Sequence, residues 1–329
     1  MERLVYSVIF SFVTTLALGV LMIPMLRRLK LGQNIRDDGP KSHLKEAGTP
    51  TMGGIFFTIA IAVVALLMAS DSLDYVVAAV LVMLGFGLIG FIDDFIKIYM
   101  KRSLGLKAYQ KILGQLVIAV IFSYYAYKNI GTSVYIPFWN GEWDLGVWYI
   151  PIMTFIILGT VNSVNLTDGL DGLASGVTLI VSATMSIIAA YASQKAISEG
   201  LAYIGVNYKN LMIFSGAVAG ACLGFLRFNA HPAQVFMGDT GAMALGGAVV
   251  SVMILMKLPL LLPIIGGIYM VESLSVILQV ISFKTRGKRI FRMSPLHHQV
   301  ELGGMPETRV VAMFMIATVI LCLLALLAV

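Results

Sequence analysis

Long apolar runs recur along this chain and limit its fold more than anything else in it. Ten can be marked, at 4–26, 52–69, 75–92, 112–127, 147–164, 173–192, 210–226, 241–256, 260–283 and 308–328. A run of about 18 apolar residues spans the hydrocarbon core of a bilayer as one helix. The fourth and eighth runs are short, and flanking residues can extend them. Charged residues are 12% of the chain and apolar ones 59%, where a soluble domain carries about 25% charge. A soluble fold of 329 residues could not cover its surface with so few charges. The sequence therefore predicts an all-α integral membrane protein of about ten transmembrane helices, with residues 1–329 as a single polytopic domain. The first run ends in Arg27-Arg28-Leu29-Lys30 rather than at a small-residue cleavage site, so it reads as a retained helix. Cys222 and Cys322 both lie in apolar runs and make neither a disulfide framework nor a zinc knuckle.

Ten spans sort the connecting segments into two sets. One set holds 27–51, 93–111, 165–172, 227–240 and 284–307, with Arg309 at the edge of the last helix. Of the 23 Lys and Arg residues, all but Arg3, Lys128, Lys195, Lys209 and Lys257 fall in that set. The positive-inside rule places it in the cytoplasm and both termini on the extracytoplasmic side. In a membrane protein the formal charge of +6 reflects this bias and is no sign of nucleic acid. All four histidines (His43, His231, His297, His298) lie in the cytoplasmic set, as do Asp93, Asp94, Asp168, Asp171 and Asp239. The chemistry is therefore expected on cytoplasmic loops.

Four segments carry residues that chemistry needs. Asp93 and Asp94 end the third run, where adjacent carboxylates repel each other and sit at the wrong end of a helix dipole. Lys97 is four residues after Asp93, close enough for one local ion pair. Such a pair could be a solvated edge, and it is also how many sites hold Mg²⁺ beside phosphate oxygens. The stretch Asn162–Gly176 carries Asn165, Asp168 and Asp171 without any Lys or Arg. On a helix those three would share a face; the plainer reading makes Thr167 or Asp168 an N-cap. Asp239 precedes a glycine- and alanine-rich run and could itself be an N-cap, with the helix behind it able to hold phosphate. Segment 284–307 gathers Lys284, Arg286, Lys288, Arg289 and Arg292 ahead of His297-His298. The basic run suits anionic headgroups, and the histidines could donate to a diphosphate. Glu272, inside the ninth run, is costly there and marks either function or a hydrogen bond to a neighbouring helix. Together these groups suit Mg²⁺-assisted phosphoryl chemistry between a charged, soluble donor and a lipid.

Three strings carry a resemblance across the whole chain: Asp93-Asp94; Asn165-Leu166-Thr167-Asp168-Gly169-Leu170-Asp171-Gly172-Leu173-Ala174; and Phe236-Met237-Gly238-Asp239-Thr240-Gly241. They resemble the polyprenyl-phosphate N-acetylhexosamine-1-phosphate transferases. Within that superfamily, Met293-Ser294-Pro295-Leu296-His297-His298 and Gly48-Thr49-Pro50-Thr51-Met52-Gly53-Gly54 look like the bacterial phospho-N-acetylmuramoyl-pentapeptide transferases. That pattern has a third histidine followed by Phe, where this chain has Gln299-Val300.

The resemblance implies a multi-pass enzyme of the bacterial cytoplasmic membrane, acting in the first membrane step of peptidoglycan synthesis. It implies transfer of phospho-N-acetylmuramoyl-pentapeptide from its UDP carrier to undecaprenyl phosphate, giving lipid I and UMP. It also implies Mg²⁺ as cofactor, a homodimer, and a bent ninth helix that lines a groove for the prenyl chain. By the same resemblance Asp239 is the Mg²⁺ ligand, with Asp93 and Asp94 beside the metal and Asp93 the candidate base. Lys97 and Lys111 would bind phosphate. Asn165, Asp168, Asp171 and Phe236 would form the nucleoside side, and Asn229, His297 and His298 would line the site. Lys45, Thr49 and Gln279 are further carry-overs. A sister enzyme moving N-acetylglucosamine-1-phosphate is the nearest alternative. A proton-coupled transporter using Glu272 is a different class, disfavoured by the lack of repeats and of other mid-span acids. A CDP-alcohol phosphatidyltransferase would need Asp-Gly-x-x-Ala-Arg, which Asp171-Gly172-Leu173-Ala174-Ser175-Gly176 breaks.

Overall fold

The computed structural model describes residues 2–28, 48–100, 105–139 and 141–329. The chain folds as α1 (Glu2–Arg28), α2 (Gly54–Met68), α3 (Asp74–Tyr99), α4 (Ala108–Asn129), β1 (Ser133–Ile136), β2 (Gly141–Asp144), α5 (Tyr149–Thr167), α6 (Leu173–Ser198), α7 (Ala202–Asn229), α8 (Gly238–Leu255), α9 (Leu262–Ile265), α10 (Gly267–Arg286), α11 (Leu296–Leu302) and α12 (Glu307–Leu327). Each of the ten apolar runs except the ninth lies mainly in one helix. Among the described residues eight helices are long and apolar enough to cross a membrane. The other two depart from that expectation for different reasons. α2 has only 15 residues. α4 carries Gln110, Lys111, Gln115 and Lys128, with three tyrosines near its end, and these lower its hydropathy. The protein is an all-α integral membrane protein. Leu67, Leu81, Ile121, Phe155, Ile316 and Leu327 are exposed on its flanks, as hydrocarbon rather than water allows.

α8 is the centre of the bundle, with α3, α5 and α2 packed against it, while α7 lies between α6 and α1. Lipid tails are as apolar as leucine, so helices in a membrane associate by close packing of small residues. The sequence of α8 supplies them. A Cβ at Gly90 of α3 would collide with the Asp239 backbone carbonyl, and one at Gly54 of α2 with the backbone of Gly241. These two contacts bring α3 and α2 to backbone distance from the start of α8.

The ninth run is broken. Pro263 and Gly266 interrupt it: a 3₁₀ turn at Pro259–Leu261 leads into the single turn α9, and Gly266 separates α9 from α10. α4 and α5 are joined by a two-stranded antiparallel hairpin in which Ser133 pairs with Asp144 and Ile136 with Gly141. Its Trp139 and Trp143, with Trp148 just beyond, are exposed, as aromatic side chains are at a membrane interface.

Because successive helices run in opposite directions, one end of the bundle collects particular termini. These are the C-terminal ends of α3, α5, α7 and α10 and the N-terminal ends of α4, α6, α8 and α12. Asp93, Asp94, Lys97, Lys111, Asn165, Asp168, Asp171, Asn229, Asp239 and Glu307 all lie there, and the hairpin lies at the opposite end.

Candidate active site

α3 supplies Asp93, Asp94 and Lys97 from one turn near its end. Lys97 Nζ lies 2.7 Å from Asp93 Oδ2 and 3.6 Å from Asp94 Oδ1, the local pairing that the spacing allowed. The same ammonium reaches 2.8 Å from Asp239 Oδ2 on α8. Lys111, in the first turn of α4, lies 2.9 Å from that oxygen and donates to Asn165 Oδ1 at 3.3 Å. Asn165 in turn donates to Asp239 Oδ1 at 2.9 Å. One turn deeper, Gln115 and Asn162 exchange amide hydrogen bonds, the better at 2.8 Å, and fix α4 against α5. Asp93 Oδ1 accepts the backbone N–H of Leu106 at 2.7 Å, tying down the segment before α4. A Cβ at Gly105 would sit 2.5 Å from that carboxylate oxygen.

The unfavourable place of Asp94, at a helix C-terminus, is resolved by another helix. Its carboxylate accepts the N–H of Asp239 at 3.2 Å, the N–H of Thr240 at 2.9 Å and the Thr240 hydroxyl at 2.7 Å. These are unpaired donors of the first turn of α8, where the dipole favours an anion. α8 is thus capped from α3. Met237 holds the N-cap position without a side-chain bond, and Asp239 is a first-turn residue rather than the N-cap its position suggested. Gly238 makes room for this arrangement. Its φ is +69°, and a Cβ there would stand 2.5 Å from Asp94 Oδ2.

The Asp168–Gly172 segment also departs from the helical reading. α5 stops at Thr167, so Asn165, Asp168 and Asp171 do not share a helix face. Thr167 turns its hydroxyl back to Ser163, and Gly172, with φ +80°, stands at the N-cap of α6. Asp168 faces the aspartate cluster. Desolvation there holds its carboxyl well above the usual range, the charges of Asp239, Asp94 and Asp171 push the same way, and Lys97 opposes them. Asp171 turns to the other side. It accepts the N–H of Ala233 at 2.9 Å, and His231 Nδ1 lies 3.2 Å from both Asp171 and Glu307. Nothing in the sequence joins Asp171, His231 and Glu307, which are far apart along the chain.

The remaining expected residues take other positions. Asn229 accepts from Gly172 N–H and Ser175 Oγ and donates to the Val235 carbonyl, so it braces two loops from beneath. Phe236 donates its N–H to Pro50, next to Thr49, and its carbonyl accepts from Gly53, which ties segment 49–54 to the start of α8. Gln279 donates to the Phe291 carbonyl and accepts the N–H groups of Ile290 and Phe291. Gln299, where the motif has histidine, accepts the N–H of Arg292 at 2.7 Å. Both glutamines therefore clasp the loop between α10 and α11. His297 and His298 lie on α11, not on a loop, with ring centroids 4.2 Å apart. His297 is fully buried and lies against Glu272, and His298 is partly exposed. Lys45 and His43 lie outside the described residues.

Oxygen atoms of Asp93, Asp94 and Asp239 lie within 4.8 Å of one another. Three carboxylates with no sulfur or imidazole suit a hard cation such as Mg²⁺. Asp94 is the least available of them, because both its oxygens hold the α8 terminus. Asp93 and Asp239 share the Lys97 ammonium, so a cation entering there would displace Lys97 from one of them. Such a cation, with Lys97 and Lys111, would form a positive floor for phosphate oxygens at the membrane edge.

The comparisons with known proteins fit this geometry. The model of glycosyl transferase family 4 matches residues 76–257, which carry all three aspartates. Signature 1 of the phospho-N-acetylmuramoyl-pentapeptide-transferases matches residues 47–57. A phospho-N-acetylmuramoyl-pentapeptide-transferase of Clostridium kluyveri is 50% identical over 325 residues, 98% of each chain. One from Thermoanaerobacter sp. (strain X514) is 51% identical over 320 residues, 97% of this chain and 96% of its own. One from Desulfitobacterium hafniense is 52% identical over 323 residues, 97% of this chain and 95% of its own. With half its residues shared over nearly its full length, this multi-pass bacterial membrane protein belongs to the phospho-N-acetylmuramoyl-pentapeptide transferase family.

Proposed function

We propose that this chain transfers phospho-N-acetylmuramoyl-pentapeptide from its UDP carrier to undecaprenyl phosphate, with Mg²⁺, at the cytoplasmic end of the bundle. One observation carries the reading: Lys97 and Lys111 converge on Asp239 Oδ2 inside a group of three carboxylates. An oxygen of the lipid phosphate bonds to the sugar-bearing phosphorus. The bridge to the uridine-bearing phosphorus breaks, UMP leaves, and lipid I forms. A phosphate monoester has a second pKa near ~6 and is already largely dianionic at pH 7. Asp93 is therefore not needed as a strong base, and its hold on Lys97 and on the Leu106 backbone serves orientation. Bound at Asp239 and Asp93, Mg²⁺ would neutralise charge on the diphosphate. Lys97 and Lys111 hold phosphate oxygens as negative charge moves to the leaving group. Asn165 fixes the Asp239 carboxylate, and Asp168 faces the donor side.

Release of labelled UMP, in detergent with undecaprenyl phosphate, tests this. Release that needs both Mg²⁺ and the lipid, and that Asp239→Asn greatly reduces, is the expected result. Release only from UDP-N-acetylglucosamine would assign the sister reaction. Release from neither donor by folded protein would refute transferase activity of this kind.

A further inference from the structure

Glu272 lies in α10, 1% exposed, in a helix that otherwise presents apolar residues to lipid. Its Oε2 lies 3.2 Å from His297 Nδ1 and accepts the His297 backbone N–H at 3.4 Å. Its Oε1 and both ring nitrogens of His297 are buried without a hydrogen-bond partner among the described residues, so the 3.2 Å approach to Nδ1 is a close contact lacking hydrogen-bond alignment. A carboxylate and an imidazole buried together are commonly no more stabilising than an apolar pair of the same volume. Packing alone therefore does not account for these two residues.

The far edge of the imidazole supplies a reason. A Cβ at Gly169 would collide with His297 Nε2, so the ring lies against the backbone of the Asp168–Asp171 turn. His297 is itself fully buried beneath that turn. The chain of contact runs from a membrane helix through one ring to the segment that carries Asp168.

We propose that Glu272 is a positioning residue: its carboxylate fixes the orientation and the Nδ1 proton of His297, whose ring props the Asp168–Asp171 turn against the donor. The second half rests on the reading that this turn faces the nucleotide-linked donor. An imidazole held at Nδ1 by a carboxylate is fixed in tautomer and orientation. Such contacts are often poorly aligned without substrate and tighten in the complex, consistent with the off-axis contact here.

The test uses the full-length protein in detergent, with two readouts. The first is the nitrogen resonances of His297 in protein labelled with [¹⁵N]histidine, assigned with His297→Gln. Nδ1 carries a proton in the wild type and in Glu272→Gln, while in Glu272→Ala the ring averages between tautomers. A wild-type ring that is protonated only at Nε2, or that averages freely, overturns the proposal whatever the activity. The second is steady-state kinetics. Glu272→Gln, which can still accept from Nδ1, keeps the KM for the UDP-linked donor within about threefold of wild type. Glu272→Ala raises it about tenfold or more and leaves the KM for the lipid unchanged. An unchanged donor KM in folded Glu272→Ala, or an equal rise in both KM values, overturns the proposal. If the wild type releases no UMP, the proposed reaction fails, and the His297 resonance alone decides the role of Glu272.

Discussion

Removing Asp94 separates the structural task of this carboxylate from the chemical task of its neighbours. Asp94 is 3% exposed and accepts three hydrogen bonds from the first turn of α8, at 2.7, 2.9 and 3.2 Å. A hydrogen bond to a charged group contributes about 1.5–3 kcal/mol, and a buried donor left without a partner costs about 1–3 kcal/mol. Asp94→Ala strands two backbone N–H groups and a hydroxyl, for a loss of about 3–5 kcal/mol once incomplete additivity is allowed for. Asp94→Asn keeps one oxygen and loses the charge, for about 2–3 kcal/mol. Charge effects inside the cluster oppose one another. Neutralising Asp94 relieves repulsion from Asp93 and Asp239 but loses the attraction of Lys97 at 3.6 Å. At an effective dielectric near 20 the two repulsions are about 3–4 kcal/mol each and the attraction about 4–5 kcal/mol, so neutralisation leaves a relief of about 2–3 kcal/mol. The lost hydrogen bonds outweigh that relief in Asp94→Ala by about 1–3 kcal/mol and are offset by it in Asp94→Asn. At about 2–4 °C per kcal/mol, Asp94→Ala lowers the apparent Tm by roughly 3–10 °C, and Asp94→Asn leaves it close to wild type. Tryptophan fluorescence on heating in detergent, read from the chain's three tryptophans, measures this. An Asp94→Ala protein that melts within about 2 °C of wild type would refute the assignment of Asp94 as the cap of α8.

Three further outcomes follow from the same geometry. Lys111→Met leaves Asp239 and Asn165 without their shared cation and lowers kcat/KM for UMP release about 100-fold, near 2.7 kcal/mol; a loss below about threefold would remove Lys111 from the site. Gly238→Ala combines a φ of +69° with a Cβ 2.5 Å from Asp94 Oδ2 and destabilises the protein by about 1–3 kcal/mol, read as a lower apparent Tm with the monodisperse peak retained. The Asp168 carboxyl is held well above its ordinary range, so stability is lost as pH rises from the ordinary carboxylate value toward the raised one, and the cost vanishes only below the ordinary value of ~4. Asp168→Asn therefore melts higher than wild type near pH 8 and approaches it as pH falls toward about 4, while losing activity; a Tm difference that widens as pH falls would contradict this.

The membrane character of the chain and the gathering of Asp93, Asp94, Asp168, Asp171 and Asp239 at one end of the bundle were legible in the sequence, because both depend on composition along short segments. Apolar runs mark helices whatever their partners. Lys and Arg avoid one side of a membrane for reasons that act on each loop separately. The local Asp93–Lys97 pair was legible for the same reason, since four residues on a helix settle it. The hairpin between α4 and α5 was not legible: its strands have four residues each, and Ile136 pairs with Gly141 across four intervening positions, not the two that an Asn-Gly turn would bridge. What could not be read is which partner answers each buried charge. The donors to Asp94 lie about 145 positions further along, and Asp171 meets Glu307 across 136.

These long-range pairings also explain why the misread residues share a pattern. Thr167, Asp168 and Asp239 were each read as a candidate cap of the helix next to it in sequence. In a bilayer no water can satisfy a helix end that lies at membrane depth. Helix termini meeting at one face must therefore cap one another, and a carboxylate at the wrong end of its own helix becomes the right group for the next one. That requirement brings Asp94, and with it Asp93, to the start of α8 beside Asp239 before any substrate arrives. The like charge so concentrated is partly offset by Lys97 and Lys111. A fold that must gather acidic groups to close its helices has thereby assembled a place where a divalent cation and phosphate oxygens can be held together. Capping at Asp94 and the phosphoryl transfer proposed at Asp239 are in this sense two uses of one set of helix ends.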